Sequence, residues 1–251
     1  MPLHVKNHTI SSNDITSVGV FDTKVNRDGL ILHLDSMDID SYPGNGTTWF
    51  DLSGFGHNAT LFNMNSPSAG NTSGFDTTTR YMMFDRRFGS GDGVANNYAL
   101  VTNTDILDDA LCQNGMSIDM WFRESGYVCT AFTKWDGSWE LYYCSTMVFR
   151  TQGSGGNDGS SSIGTSPGSW RNIVATHDGI NRRLFVNGSI VLNDTNIVTG
   201  QNTTGPVSIG AYNGGTYASF GAIPIYRLYN RALNPYEIAE NFQATRGRFG
   251  I

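Results

Sequence analysis

Glutamate and lysine are nearly missing from this sequence. Its 251 residues hold four Glu (Glu124, Glu140, Glu237, Glu240) and three Lys (Lys6, Lys24, Lys134). Both residue types populate exposed helix surface, so their scarcity excludes a body of long solvent-facing helices. No apolar run approaches the ~18–20 residues of a membrane-spanning helix, which argues against membrane insertion. Met1 through Thr9 contain no apolar stretch. The sequence therefore predicts no signal peptide, and synthesis in the cytoplasm without general export. Positive charge is short as well: 16 Lys and Arg stand against 22 Asp and Glu, for a net charge of −6. That balance argues against nucleic acid as a partner, which calls for clustered cations.

Cysteine is scarce and odd in number: Cys112, Cys129 and Cys144. Three thiols are not a disulfide framework. Residues 127–133 and 140–146 read as two strands of a hairpin. Centred on Asp136-Gly137, it sets Cys129 opposite Cys144. The two either bond in an oxidising setting or stay as free buried thiols. The five histidines (His4, His8, His33, His57, His177) form no pattern with Ser or Cys that would mark a nucleophile. His4 and His8 either share a metal between subunits or simply face solvent or a neighbour. Neither Cys-x-x-Cys nor His-Glu-x-x-His occurs.

What is abundant is turn chemistry. There are 30 glycines, and Asn, Ser and Thr are frequent. Short strand-like runs alternate with turn clusters from Gly29 onward: residues 30–35, 49–53, 59–61, 81–85, 98–101, 116–122, 170–177, 183–186, 189–192, 207–210 and 220–229. Asn187-Gly188 between two β-branched runs is a strong hairpin signal, because both central residues need φ > 0. Residues 151–168 are the most loop-like stretch. Near the end, Asn234 is placed to cap a helix, with Pro235 at its first position and Glu237 three residues after the cap. Ile238 and Phe242 would turn one face of that helix onto the strands. Many short strands with one helix predict an all-β, two-sheet antiparallel sandwich. Residues 1–28 are polar and lack a sustained period, so they read as an N-terminal arm, with the sandwich over 29–251.

The set Gly29–Asp35, Trp49–Leu61, Trp170–Thr176, Asp178-Gly179, Leu184–Gly188, Ser208–Gly210 and Phe220–Ile223 with Tyr229–Leu233 resembles the concanavalin A-like lectin/glucanase superfamily. The nearest branch is the laminin-G-type jelly roll. The ending Glu240 through Ile251 looks like versions of this domain in tailed-phage virion proteins. The resemblance implies a virion surface protein assembled in the host cytoplasm, either a tail or fibre component or a capsid decoration. Residues 1–28 would then bind other virion proteins. Copies of the chain itself and a host surface glycan are the further partners considered. A free-standing carbohydrate-binding lectin module is the alternative.

The resemblance also frames the chemistry. Hydrolases of the superfamily carry Glu-x-Asp-x-x-Glu on one strand, and this sequence has no such pattern, so no enzyme is expected. Trp49, Trp121 and Trp170 are expected between the sheets. Relatives hold Ca²⁺ through Asp and Asn, which makes Asp35, Asp85 and Asp178 the candidate ligands, with turn capping as the other reading. Sugar binding would use exposed aromatics beside polar loop groups. Tyr42, Phe55, Trp135, Trp139, Tyr212 and Tyr217 are candidates, and the loop from Tyr212 through Asn213 to Tyr217 is the best of them.

Overall fold

The fold is described from a computed structural model. It describes residues 25–85, 96–102, 104–107, 115–124, 130–134, 139–143, 147–151, 157–161, 168–195, 205–211 and 221–251. Within them the first strands are β1 (Leu30–Asp35), β2 (Thr48–Trp49), β3 (Ala59–Phe62), β4 (Asn65–Ser68), β5 (Gly74–Asp76) and β6 (Tyr81–Phe84). The middle of the chain adds β7 (Tyr98–Val101), β8 (Met116–Glu124), β9 (Thr130–Lys134), β10 (Trp139–Tyr143), β11 (Met147–Thr151) and β12 (Asn157–Ser161). The last are β13 (Arg171–His177), β14 (Arg182–Val186), β15 (Ser189–Asp194), β16 (Val207–Ile209) and β17 (Gly221–Tyr229). Helix α1 (Pro235–Arg246) and a 3-10 turn (Gly247–Phe249) follow.

The strands form two sheets. One runs β15-β14-β13-β8-β17-β6-β5-β4, with β1 also paired to β17; the other runs β12-β11-β10-β9-β16-β7-β3-β2. All pairings are antiparallel except β4 with β5. The period of two in β8 sorts its side chains. Met116, Ile118, Met120 and Phe122 join the core between the sheets, while Trp121 packs in a separate cluster with Phe242 and Phe249. Burying both faces explains why β8 does not alternate cleanly in sequence.

At the Asn187-Gly188 turn both residues have positive φ, 51° and 76°, and Val186 pairs with Ser189. The β9–β10 ladder runs Lys134 opposite Trp139 through Thr130 opposite Tyr143, centred between positions 136 and 137. Cys129 and Cys144 lie outside the described residues.

Helix α1 begins as its sequence dictates. The Asn234 side chain accepts from the backbone N–H groups of Tyr236 and Glu237, and the Asn234 N–H donates to Glu237 Oε2 at 2.8 Å. Ile238 packs with Leu30, Val174, Phe185 and Tyr229, and Phe242 packs on Trp121. The helix therefore covers the outer face of the nine-stranded sheet.

Three expectations are corrected. Trp121 and Trp170 sit on this outer face, not between the sheets: Trp121 takes the outward phase of β8, and Trp170, one residue ahead of β13, packs into the same cluster; Trp49 does lie in the inter-sheet core. Residues 157–161, expected as loop, form β12 against β11. Its Asn-Asp-Gly-Ser-Ser sequence has little strand preference, so the neighbouring ladder imposes the conformation. Residues 25–28, assigned by sequence to the arm, belong to the fold. The Asn26 N–H donates to Asn241 Oδ1 at 2.8 Å, and the Tyr229 hydroxyl donates to the Asn26 carbonyl at 3.0 Å. The rest of the arm, residues 1–24, lies outside the described residues.

Candidate functional site

The metal candidates Asp35, Asp85 and Asp178 do not come together, and most of the sugar candidates read from sequence fall outside the described residues. Trp135, Tyr212, Asn213 and Tyr217 lie outside the described residues. Trp139 is a correction: it is 1% exposed in the inter-sheet core, so no ring face is open to a sugar. Phe55 is 54% exposed and stacks on His57 at 5.8 Å.

Asp35 is gripped by Arg248, whose two terminal nitrogens donate to its two oxygens at 2.6 and 2.8 Å. Burial alone would raise its pKa, but the Arg248 hydrogen bonds and charge outweigh this and hold it below the ordinary carboxylate value. Asp178 closes its own turn, accepting from the N–H groups of Ile180 and Asn181, and pairs with Arg183 at 2.9 Å. Asp85 is half-buried, and its N–H donates to Asn97 Oδ1 at 2.7 Å. Among the described residues no group of three or more His, Cys, Asp or Glu could hold a metal.

The structure instead brings together a cleft of ≈ 290 Å³ at the end of the sandwich where β3 of one sheet passes β4, β5 and β6 of the other. Tyr42, Leu61, Phe75 and Met82 are buried in its floor. Thr47, Asn63 and Ser66 are exposed on its rim. Polar side chains hold this shape. The Tyr42 hydroxyl donates to the Gly46 carbonyl at 2.9 Å, and its ring lies 4.8 Å from that of Phe75 at an angle of 60°. Burial pushes the Tyr42 hydroxyl pKa up, which keeps it a neutral donor. Arg80 lies over the Phe75 ring at 5.3 Å and donates to the Tyr42 carbonyl at 2.6 Å. Asn71 Nδ2 donates to the carbonyls of Ser66 and Phe75 at 3.2 and 3.3 Å, which locks β4 beside β5. Asn63 turns the chain from β3 to β4 with φ 56°, and its Nδ2 donates to the Asn96 carbonyl at 2.8 Å. The result is a narrow cleft whose floor rings are themselves buried, so a ligand would meet the hydroxyl and amide groups of Thr47, Asn63 and Ser66 at its edge, groups that suit a small polyhydroxylated ligand.

Of these residues the sequence pointed only to Tyr42. The others were missed because Asn65-Ser66-Pro67-Ser68 reads as a turn. Only the parallel pairing with β5 makes it a wall. The spacing of Asn71 and Phe75 carries no signal on its own.

Residues 89–239 match the family model of the concanavalin A-like lectin/glucanases superfamily, of laminin G type. The match covers more than half of the sequence, and the chain belongs to this superfamily. Solved structures share the fold at low identity. Domain 4 of AbnA, a GH43 extracellular arabinanase from Geobacillus stearothermophilus, solved with arabinotriose, is 16% identical with a TM-score of 0.56. That alignment covers 85% of this chain and 98% of the arabinanase domain. The binding domain of botulinum neurotoxin DC, solved with SialylT, is 17% identical with a TM-score of 0.60, covering 87% of this chain and 52% of the toxin chain. The same binding domain solved with rat synaptotagmin II is 16% identical with a TM-score of 0.60, over 87% and 52% of the two chains. The chain thus spans about half the length of these toxin structures. The two toxin structures are of a binding domain, and the arabinanase domain was solved with a bound oligosaccharide. A search of the curated proteins finds no match.

Proposed function

We propose that this chain is a non-enzymatic carbohydrate-recognition module displayed on a bacteriophage virion, in a tail, a fibre or a capsid decoration. The observation that carries the recognition role is the cleft with its Tyr42–Phe75 floor and polar rim. Superfamily membership supports it, as do neighbours solved with arabinotriose and SialylT.

The glutamates support the absence of catalysis. Glu124 is buried on the inward phase of β8, Glu140 is paired with Arg150 at 3.2 Å, and Glu237 is paired with Arg231 at 2.7 Å while closing the helix cap. Glu240 stands on the exposed side of α1. Hydrolysis of a glycosidic bond calls for two carboxyl groups about 5–9.5 Å apart across a substrate site; Glu140 and Glu237 are already ion-paired, Glu124 is buried on the inner side of the sheet and Glu240 stands on the helix over its outer side.

The virion placement rests on the resemblance of residues 240–251 to phage structural proteins and on the polar arm. Under it, other virion proteins and further copies of the chain contact residues 1–28, and a host glycan contacts the cleft. A free-standing carbohydrate-binding lectin module is the second reading; the near-complete overlap with an arabinanase domain solved with arabinotriose supports its carbohydrate binding and leaves its setting to experiment.

Glycan-array binding with Thr47→Trp as the probe tests the recognition role. Thr47 is exposed on the rim, so an indole there fills the cleft without disturbing the core. The wild-type chain should bind a defined set of neutral oligosaccharides and Thr47→Trp should lose them. No binding by the wild type, or equal binding by both, rejects the cleft as the site. Release of reducing sugar from any bound glycan would reject the non-enzymatic reading. Deleting residues 1–24 separates the two settings: a virion component loses incorporation into particles, and a free lectin loses nothing.

A further inference from the structure

On the far side of β6 from the cleft stands a cation that no described residue pairs with an anion. Arg123, on the outward phase of β8, lies with its guanidinium carbon 4.8 Å from the Trp170 ring centroid and 5.5 Å from that of Tyr81. Tyr81 meets Trp170 edge-on at 4.8 Å, and Phe249 backs both rings, at 4.7 Å from Trp170 and 6.3 Å from Tyr81. Phe249 in turn stacks on the buried Trp121 at 4.0 Å. The aromatic support of Arg123 is therefore tied into the second core under α1.

Arg123, Tyr81 and Trp170 are each half-buried. Among the described residues, no hydrogen bond or ion pair engages the Arg123 guanidinium, the Tyr81 hydroxyl or Trp170 Nε1. None of these polar atoms is buried. The Glu124 carboxylate, next in sequence, points to the opposite face of the sheet. What sets Arg123 apart is its aromatic surround: it is the guanidinium held against two rings with none of its donors taken among the described residues.

The geometry defines what such a group can bind. Contact with two rings set edge-on to one another holds the guanidinium in place, and no described residue takes its N–H donors. A fixed N–H fork matches a planar carboxylate with two parallel hydrogen bonds. Unpaired donors on Tyr81 and Trp170 lie beside it and suit the hydroxyls of a sugar ring. The stacked ring faces are already occupied, so the site reads an anion and its hydroxyls, not an apolar sugar face. We propose that Arg123, oriented by Trp170 and Tyr81, binds the carboxylate of an acidic sugar, a uronic or sialic acid residue of a host glycan. This goes beyond the cleft reading and uses a different surface. It rests on that reading only in taking the ligand to be a glycan.

Calorimetric titration of the full chain tests it, with digalacturonate and sialyllactose as acidic probes, lactose as their neutral counterpart and sodium sulfate as a plain anion. At low salt the acidic sugars should bind at least about tenfold more tightly than lactose, the effect of one charge-assisted bidentate contact. Arg123→Gln should erase that preference and Arg123→Lys should restore only part of it, since an ammonium lacks the fork. The indole N–H resonance of Trp170 should shift with acidic sugar and not with lactose. Thr47→Trp should leave all of this unchanged, so a failed cleft and a failed Arg123 site are told apart. Equal affinity of Arg123→Gln and wild type for both acidic sugars overturns the inference, as does sulfate binding as tightly as they do. Absence of acidic-sugar binding by a folded wild-type chain overturns it as well.

Discussion

The two faces of the nine-stranded sheet are buried by opposite means. The inner face meets the other sheet through one large apolar cluster that includes Leu32, Trp49, Ile118, Met120, Leu141, Phe149 and Tyr226, with a few ionisable residues such as Glu124 and His177 buried on the same side. The outer face meets α1 through two smaller apolar clusters separated by a buried polar network. At its centre, Asp119 accepts from Arg227 Nη1 at 3.0 Å, from Asn241 Nδ2 at 3.0 Å and from Asn172 Nδ2 at 2.7 Å. Asn241 Nδ2 also donates to the Tyr229 hydroxyl at 2.9 Å. Apolar contact alone would let the helix slide or rotate by a turn at little cost. A charged pair with fixed hydrogen-bond directions permits one placement. The inner face supplies stability; the outer face adds position, and that position brings Phe249 behind Trp170 and Arg248 onto Asp35.

The largest expected effect comes from breaking this network on one side. Asp119→Ala leaves Arg227 buried without its partner and should destabilise by about 3–5 kcal/mol in urea unfolding. Adding Arg227→Met should recover much of the loss, because the stranded charge goes with it. A double variant no more stable than the single one would refute the account of the outer face.

Acid comes next. His33 sits on the outer face beside the network, buried, with neither ring nitrogen hydrogen-bonded. Burial, then the charges of Arg227, Arg27 and Arg248, pull its pKa down to about 3, against a smaller opposing push from Asp35. The unfolded chain takes this proton near the usual ~6.5. The native state refuses it until about pH 3. His33 therefore costs no stability above pH 6.5, and stability falls as pH drops from there, by up to ~1.4 kcal/mol per unit. Loss of the Asp35–Arg248 pair adds to this at the acid end, since the pKa of Asp35 is lowered and its contribution disappears on protonation. Thermal unfolding across pH 4–7 should show the slope, and His33→Leu should flatten it between pH 5 and 6.5.

Smaller changes sharpen the contrast. Ile118→Val trims one methylene from the inner core and should cost about 0.5–1.5 kcal/mol. Asn234→Ala removes the side-chain half of the helix cap and should cost about 1 kcal/mol. The two should also differ in kind. The cap variant should loosen amide protection in α1 alone, and the core variant should lower it across both sheets.

The same contrast decides how much could be read from the sequence. The sandwich was legible because its signals are local. Leu30–Asp35 is a continuous apolar run, Asn187-Gly188 forces a turn, and Asn234-Pro235 with Glu237 writes a helix start. The outer face was not, because Trp121, Asp119 and Arg227 sit in strands whose two faces are both covered, so periodicity cannot say which side faces which partner. Trp139 shows the reverse error. Beside Asp136-Gly137 it looked like a loop-tip aromatic, yet it opens β10, where the inward phase sends it to the core. The cleft depends on a parallel pair, β4 with β5, whose polar sequence gives no hint of pairing. The Arg123 site draws on residues 81, 123, 170 and 249, far apart in the chain and joined only by the sheet and the helix that covers it.

The incoming chain at Asn26 lies against α1, the element that carries the last residues of the fold. The chain therefore enters the described fold on the side that the helix occupies. The outer face of the eight-stranded sheet lies across the sandwich from that entry point.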